Sequence, residues 1–370
     1  MPHIVSVDNK EMFEQFSNEG YVGVRFPLKY YKKIKEGPLK GRDIYYLLST
    51  IYDIFADLKR VKVADKIFVH VKGEQKIFGV FRAASTFLES PIIPKVFRSY
   101  NLLKERLVEK KLPPLSESDF LWQVSIKSDE KLYFDEGFDA NEIFKLKDLC
   151  QGIWTIPERW KYEDKQKTVR PLLPEEGDKL IELLWKYNPP GPSKSHVASK
   201  NLKQFKTIGL PLVPTNGYVR DEKLMEAWVM ANALKPEDSD AYQNIKGVFG
   251  DFSFIANTIR SFYIKFMDIF GYYENTNPKV YKIIETKTKE ASKEHVDQLF
   301  KYMKWIAEFL CENDLNRVKS FLVAREFPRE VSQYSKKSNY ENLKLVQYSL
   351  SNRRMIFQKL TPQPNLEAFT

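Results

Sequence analysis

The spacing of apolar and polar residues predicts helices and strands in alternation along the first half of the chain. Apolar side chains recur every three or four residues from Asp43 to Leu58, the period of a helix with one buried face. The runs Lys66–Val71 and Lys76–Phe81 are rich in β-branched and aromatic residues and flank a turn that contains Gly73. Two such runs around a glycine turn predict a β-hairpin. Residues 121–126 alternate like a further strand.

Shorter helices are predicted at Glu11–Glu19 and Pro174–Lys186. The second begins with proline and carries Glu175 and Glu176 in its first turn. Proline is tolerated at the first position of a helix, and acidic side chains there complement the helix dipole.

A stretch rich in proline then interrupts the pattern. Between Tyr187 and Asn216 lie Pro189, Pro190, Gly191, Pro192, Pro211 and Pro214. Proline fixes one backbone angle and removes a donor, so this stretch resists regular structure. We therefore predict a first domain at 1–187, a linker at 188–216 and a second domain at 217–335.

The second half orders its elements differently. The pattern predicts a helix at Asp221–Asn232, a β-rich middle at Val248–Tyr273 and a strand at Val280–Lys287. A long amphipathic helix at Ser292–Leu310 and a short strand at Phe321–Ala324 follow. This order indicates layers of helices on a sheet, so the fold class is predicted to be α/β and α+β in two domains.

Charge and composition limit the classes of function and partner to be expected. Lys and Arg outnumber Asp and Glu by 59 to 49, which favours a polyanionic partner such as DNA. Two distant cysteines and four scattered histidines form no zinc-binding pattern and fit a reducing compartment. The chain lacks a signal-peptide pattern and an apolar run long enough to span a membrane, so a cytoplasmic protein without a membrane partner is expected. Phosphate-binding glycine motifs and a GxSxG elbow are also absent.

Two carboxylates and an ammonium group carry the sharpest chemical signal. Asp268 lies inside an apolar strand, and Glu285 and Lys287 lie at the end of the next one. Side chains alternate along a strand, so Glu285 and Lys287 share a face. A hairpin turning through Glu274–Pro278 brings Asp268 beside Glu285. The alternatives are an Asp268 that caps a turn and a Glu285–Lys287 surface ion pair, which stabilises little.

Such a pair of carboxylates can hold Mg²⁺ through hard oxygen ligands. A bound metal ion lowers the pKa of water and stabilises charge on a scissile phosphate. Lys287 then orients the attacking water or neutralises the phosphorane.

Two helices add polar groups to this strand pair. Gln298 and Tyr302 are four residues apart on one helical stripe, where the alternative is an ordinary solvated face. Glu222 and Glu226 share a stripe of the upstream helix, and either of them can add a carboxylate to the site. A solvated face is the alternative here too.

The ordered set resembles the PD-(D/E)xK nuclease superfamily, with Asp268 followed by Glu285-Thr286-Lys287. Gln298 and Tyr302 resemble the Q-x-x-x-Y helix of RecB-type members, and residues 222–228 resemble an acidic helix of NucS-type archaeal nucleases. The resemblance implies a restriction-endonuclease-like α/β core with a mixed central sheet. It also implies Mg²⁺ or Mn²⁺ held by Asp268, Glu285, the Thr286 carbonyl oxygen and either Glu222 or Glu226.

The first domain resembles EVE-type domains of the PUA-like superfamily. Residues 65–85 match the hairpin of that family, and residues 121–127 and 170–184 match its later strand and closing helix. The resemblance implies a small β-barrel whose aromatic pocket holds a flipped, modified base. Trp122, Trp154 and Trp160 are the candidate pocket walls, and core filling is the alternative for each.

Residues 336–370 are predicted to form a basic, aromatic tail. Lys336, Lys337, Arg353 and Arg354 are its candidate phosphate contacts, and binding through them should depend on salt. A solvated terminal helix is the alternative.

Together these patterns predict a metal-dependent DNA endonuclease of modification-dependent restriction or repair. A homodimer is a further expectation, because paired cuts favour two-fold symmetry. Two other classes stay open: a non-catalytic nucleic-acid-binding protein, RNA-directed ones included, and a protein that uses its aromatic surface to bind partners.

Overall fold

The computed structural model shows a mixed α/β protein with two sheets. It describes residues 1–7, 9–25, 56–58, 60–86, 88–89, 121–145, 169–193, 217–219, 221–233, 239–260, 266–337, 341–352 and 354–360. The chain divides into two compact units, residues 1–210 and 211–370. The predicted domain boundaries at 187 and 217 stay predictions, and residues 194–216 of the predicted linker lie outside the described residues.

The described residues of unit 1 form a sheet of eight strands. They are β1 (Pro2–Val7), β2 (Tyr21–Arg25), β3 (Lys66–Val71), β4 (Lys76–Ala83), β5 (Leu88–Glu89), β6 (Leu121–Ser128), β7 (Phe134–Asp139) and β8 (Val169–Pro171). The main path runs β2-β6-β4-β3-β1-β8, with β5 beside β6 and β7 beside β4. The first half of β4 pairs with β7 and its second half with β6, so this strand joins two parts of the sheet.

In the described part of unit 1 this sheet is accompanied by α1 (Lys10–Glu19) and α2 (Pro174–Tyr187). The Asn9 side chain accepts a hydrogen bond from the Met12 backbone and begins α1, and Gly20 ends it with φ of 68°. A 3-10 helix covers Ala140–Lys145. The apolar side of α2 packs on the sheet through Leu180 and Leu184, together with Ile4, Phe68, Ile77 and Phe134.

The predicted hairpin is confirmed, since β3 and β4 pair antiparallel. The predicted helices at Glu11–Glu19 and Pro174–Lys186 are confirmed as well. Most of the helix predicted at Asp43–Leu58 lies outside the described residues, although 56–58 are helical. Among the described strands β2 and β8 are the two ends of the sheet. The closed barrel and the PUA-like identity therefore stay predictions.

The described residues of unit 2 form six strands and four α-helices. The strands are β9 (Phe254–Arg260), β10 (Phe266–Tyr273), β11 (Val280–Thr286), β12 (Val318–Ala324), β13 (Leu343–Ser351) and β14 (Arg354–Lys359). The helices are α3 (Glu222–Ala233), α4 (Asp240–Phe249), α5 (Lys293–Leu310) and α6 (Arg329–Lys337), and a 3-10 helix covers Leu315–Arg317.

The strands of unit 2 lie in chain order, from β9 at one edge to β14 at the other. The pairs β11–β12 and β12–β13 are parallel and the other three are antiparallel, so the central sheet is mixed. The parallel connection from β11 to β12 runs through α5, whose buried stripe includes Val296, Leu299, Met303 and Ile306. These side chains cover the centre of the sheet, where Ile283 and Leu322 are fully buried.

Two predictions for unit 2 need correction. Helix α4 was not predicted, and its last two residues, Val248 and Phe249, take the start of the predicted β-rich middle. Tyr242, Ile245, Val248 and Phe249 recur at helical spacing and are buried, and Ser239 caps the helix start. Residues 336–370 were predicted to be a tail, but β13 and β14 extend the sheet. The burial of Val346 and Tyr348 alternates with exposed neighbours, as in a strand with one covered face.

No helix within the described ranges is both long and apolar enough to cross a membrane.

We predict that Gly271→Ala destabilises the protein whereas Gly247→Ala does not. A Cβ at Gly271, in β10, would lie 2.6 Å from the Phe254 carbonyl oxygen and 2.7 Å from the Phe252 ring. The backbone cannot move away from the added methyl group without strain, so we expect the free energy of unfolding to fall by about 1–3 kcal/mol. A Cβ at Gly247, in α4, meets nothing within 4 Å. Alanine should there stabilise the helix by up to about 1 kcal/mol. Urea unfolding of both variants measures the difference, and equal midpoints would contradict the strand packing.

Candidate active site

The hairpin of β10 and β11 places Asp268 beside Glu285. The pairs Ile269–Ile284 and Phe270–Ile283 fix the antiparallel register, and the next position along it sets Asp268 opposite Glu285. Directly opposite residues share a face of the sheet. The Asp268 Oδ2 atom also accepts hydrogen bonds from the Thr286 backbone N–H at 2.8 Å and from Thr286 Oγ1 at 3.0 Å. Asp268 is therefore fixed to the end of β11.

Lys287 stands among three carboxylates. Its Nζ atom lies 2.9 Å from Glu285 Oε1, 3.5 Å from Glu222 Oε2 and 3.9 Å from Asp268 Oδ2. Its backbone N–H donates to the Val323 carbonyl oxygen at 2.7 Å, which holds the residue just past the end of β11. We call Glu222, Asp268, Glu285 and Lys287 together the carboxylate site.

Helix α5 contributes the amide and the phenol that the sequence predicted. Gln298 Nε2 lies 3.2 Å from Glu285 Oε1 and 2.8 Å from the Tyr302 hydroxyl oxygen, to both of which it donates. The Tyr302 hydroxyl in turn donates to the Phe266 carbonyl oxygen at 2.9 Å. This chain of contacts links the start of β10, helix α5 and Glu285.

The two glutamates of helix α3, Glu222 and Glu226, have different surroundings. Glu222, in the first turn, reaches Lys287, whereas the carboxylate of Glu226 is buried and faces other groups. Glu226 Oε2 accepts from Lys223 Nζ at 2.8 Å and from Asn257 Nδ2 at 3.1 Å. The structure thus brings Glu222 and not Glu226 to the carboxylate site.

Lys223 makes a second contact, which the sequence did not signal. Its Nζ atom lies 2.6 Å from Thr258 Oγ1. Thr258 has φ of 53°, a left-handed backbone that costs free energy in a β-branched residue. The β9–β10 register sets Thr258 opposite Asp268, so this strained position lies next to the carboxylate site.

Burial and like charge make ionisation unfavourable for two carboxyl groups of the carboxylate site. Burial, reinforced by the charge of Asp268, raises the pKa of Glu285 to about 8 despite its contact with Lys287. The Glu285 Oε2 atom is buried and has no hydrogen-bond partner among the described residues. Burial also raises the pKa of Glu222, again with Asp268 contributing. For Lys287 burial acts downward, but the three carboxylates outweigh it and its pKa is raised.

His295 lies near these charges on α5. Burial lowers its pKa, and the charge of Lys287 lowers it further. Its Nδ1 atom accepts a hydrogen bond from the Ser292 backbone N–H at 3.0 Å, at the start of the helix. In the neutral ring the proton therefore sits on Nε2.

Within the described part of the chain, no group of three or more His, Cys, Asp or Glu side chains is placed to hold a metal ion on its own. Mg²⁺ commonly keeps several waters and takes only one or two protein carboxylates. Asp268 and Glu285 meet that smaller requirement, and the unpartnered Glu285 Oε2 fits a cation ligand.

The remaining predicted site residues lie elsewhere or outside the description. Trp122 lies in β6, paired with Val24, and its side chain is not described; Trp154 and Trp160 lie outside the described residues, as does Arg353. Lys336 and Lys337 end helix α6, and their side chains are not described. Arg354 is exposed and pairs with Asp240. The structure brings none of these described groups to the carboxylate site.

Comparison with solved structures gave a partial likeness. No family model matches the chain, and no curated protein matches it. The crystal structure of a repair endonuclease from Pyrococcus abyssi is similar over 30% of this chain and 48% of that chain, with 19% identity and a TM-score of 0.23. This chain thus matches about half the length of that protein. A TM-score this low carries no argument about fold or function.

We predict that Glu285→Gln stabilises the metal-free protein and that the gain grows with pH. Because the folded pKa of Glu285 is about 8 and its ordinary value is 4.5, the folded protein keeps a proton that the unfolded chain releases. Stability is therefore lost as pH rises between about 4.5 and 8. Glutamine cannot ionise, so the gain should be small at pH 5 and on the order of a few kcal/mol at pH 8.

Denaturant unfolding in EDTA at both pH values measures this gain. The control is Glu290→Gln, which removes an exposed carboxylate from the loop after β11 and should change stability little at either pH. If Glu285→Gln is no more stable than wild type at pH 8, ionisation of Glu285 does not destabilise the folded protein.

Proposed function

We propose that this protein is a metal-dependent nuclease that hydrolyses phosphodiester bonds in DNA. The observation that carries the proposal is the carboxylate site itself, where Asp268 and Glu285 from adjacent strands and Glu222 from α3 surround one lysine. Buried carboxylates with too few partners are costly and tend to occur where a protein performs chemistry.

Asp268 and Glu285 would hold the cation, Mg²⁺ or Mn²⁺, with Glu222 and the Thr286 carbonyl oxygen as further ligands. The bound ion would supply an acidified water and would stabilise negative charge on the phosphate. Gln298 keeps the Glu285 carboxylate oriented from α5, as amides next to metal ligands commonly do.

Lys287 acts as a donor in this scheme. Its ammonium group is held among carboxylates, carries its proton and has no lone pair to offer as a base. It is therefore suited to orient the attacking water or to bind a phosphate oxygen. In the reaction the water oxygen bonds to phosphorus, the bond from phosphorus to the 3′ oxygen breaks, and the leaving oxygen takes up a proton. The products are a 5′-phosphate and a 3′-hydroxyl.

Unit 1 is proposed to read the nucleic acid. Its aromatic content, with Trp122, Trp154 and Trp160 as candidates, suits a pocket for a flipped and modified base. This places the activity in modification-dependent restriction or in repair. A homodimer is proposed for cutting both strands, because two-fold symmetry would match the two strands of a duplex.

We predict that Asp268→Asn, Glu285→Gln and Lys287→Met each abolish cleavage. Loss of a metal ligand or of the charged donor should lower the rate at least about 1,000-fold, because each removes several kcal/mol of transition-state stabilisation. The assay uses Mg²⁺ or Mn²⁺ with plain, methylated, hydroxymethylated, mismatched, branched and single-stranded DNA, and RNA. The preferred substrate identifies what unit 1 reads.

Matched controls separate chemistry from charge. Glu290→Gln and Lys301→Met remove exposed charges beside the site and on α5, and both variants should cleave like wild type. If the wild type binds members of the panel but cuts none, the protein is a non-catalytic nucleic-acid-binding protein. If it neither binds nor cuts, the proposal is wrong in both parts.

We further predict that Gln298→Ala shifts the metal requirement. Without the amide, Glu285 Oε1 loses one of its two neighbours, so the Mn²⁺ concentration for half-maximal cleavage should rise about 10- to 100-fold. Saturating Mn²⁺ should recover much of the rate. If the rate of Gln298→Ala stays low at every Mn²⁺ concentration, Gln298 does not act through the metal ligands.

A further inference from the structure

A pocket of about 420 Å³ in unit 2 collects lysines from five separate elements. They are Lys246 of α4, Lys282 of β11, Lys319 of β12, Lys344 of β13 and Lys359 of β14. Among the described residues that line it, Glu341 is the acidic one. We call this the lysine pocket. Its positive charge comes from residues that lie far apart in the sequence, so the fold and not a local run of lysines creates it.

The lysine pocket lies on the face of the sheet opposite the carboxylate site. Lys282 and Glu285 are three residues apart on β11, so their side chains point to opposite faces. The helices confirm this arrangement, because they cover different faces of the sheet. On the face of the carboxylate site, Gln298 of α5 contacts Glu285. On the face of the lysine pocket, Phe249 of α4 packs edge-on against Phe321, with ring centroids 5.2 Å apart. The two sites are therefore distinct.

Three of the lysines have a structural role. Lys282 Nζ donates to the Asp251 carbonyl oxygen, Lys246 lies 3.2 Å from the Asp251 carboxylate, and Lys359 Nζ lies 3.2 Å from the Gly247 carbonyl oxygen. These contacts hold the end of α4, where cations complement the helix dipole. They do not explain the other two lysines.

Lys319 and Lys344 add charge that the fold does not need. Both are exposed, and neither makes a hydrogen bond or ion pair with any residue that the structure describes. Lys319 lies directly opposite Lys282 in the β11–β12 pair, where like charges repel. Lys344 lies opposite Phe321 in the β12–β13 pair. Both ammonium groups thus adjoin the pocket on the side where Phe321 forms its apolar surface.

We propose that the lysine pocket binds the phosphate group of a small phosphorylated ligand or of a nucleic-acid strand end. Lysine ammonium groups bind phosphate as point charges, and an anion between Lys282, Lys319 and Lys344 would offset their repulsion. The volume lies in the range of pockets that take small molecules, and Phe321 offers an apolar surface beside the phosphate. The proposal does not depend on nuclease activity.

Isothermal titration of the full-length protein with inorganic pyrophosphate tests this. EDTA is present throughout, so that phosphate cannot bind through a metal at the carboxylate site. Removing both charges in Lys319→Ala/Lys344→Ala should weaken binding at least about tenfold, because two charge-assisted contacts to the phosphate are lost. The matched control is Lys76→Ala/Lys127→Ala, which removes two exposed strand lysines of unit 1 and should bind like wild type.

A second arm separates the two sources of phosphate. Short oligothymidylates with a 5′-phosphate or a 5′-hydroxyl are titrated into the same proteins. A preference for the 5′-phosphate that disappears in Lys319→Ala/Lys344→Ala assigns the pocket to strand ends. Pyrophosphate binding without that preference assigns it to free phosphorylated compounds. The proposal is overturned if wild type does not bind pyrophosphate, or if the pocket variant and the control bind it equally.

Discussion

The shortage of positive charge around Lys287 is the constraint on which the rest of unit 2 depends. One ammonium group serves three carboxylates, those of Glu222, Asp268 and Glu285. A buried polar group without partners is costly, and a partly satisfied network is worse than an apolar one. The raised pKa of Glu285 expresses that cost. A cation that joined the group would relieve it, so the same electrostatics that weaken the fold favour metal binding.

The fold holds these charges together by using a different element for each. The β10–β11 hairpin brings Asp268 to Glu285, α5 places Gln298 on Glu285, and the first turn of α3 supplies Glu222. Lys223 fastens α3 to β9 through Thr258, whose left-handed backbone lies beside Asp268, and Glu226 does so through Asn257. Backbone strain of this kind persists only where the surrounding contacts enforce it. The contacts that hold the site together are therefore made by the chain itself.

The strand alternation in the sequence was enough to predict that Asp268 and Glu285 meet, because register in a hairpin follows from the turn and the apolar face. Helical spacing likewise predicted that Gln298 and Tyr302 share a stripe. It could not choose between Glu222 and Glu226, since both share a stripe and only the position of α3 on the sheet decides.

Strands β13 and β14 were not predicted, because the many charged residues around them indicated a basic tail. Val346 and Tyr348, and then Met355 and Phe357, alternate with polar residues, a signal that the many lysines and arginines around them obscured. The sequence alone could not predict the lysine pocket, because its five lysines are spread over residues 246 to 359.

The chain order of the strands in unit 2 has a consequence for synthesis. Each strand lies beside its predecessor, so the sheet can grow from β9 to β14 as the chain emerges from the ribosome. Residues 222–302, which contain every group of the carboxylate site, emerge before β12. The lysine pocket waits for Lys359, in the last strand. A nascent chain would thus gather the carboxylates first, and a ribosome that stalls between β12 and β14 would display the carboxylate site before the lysine pocket is complete.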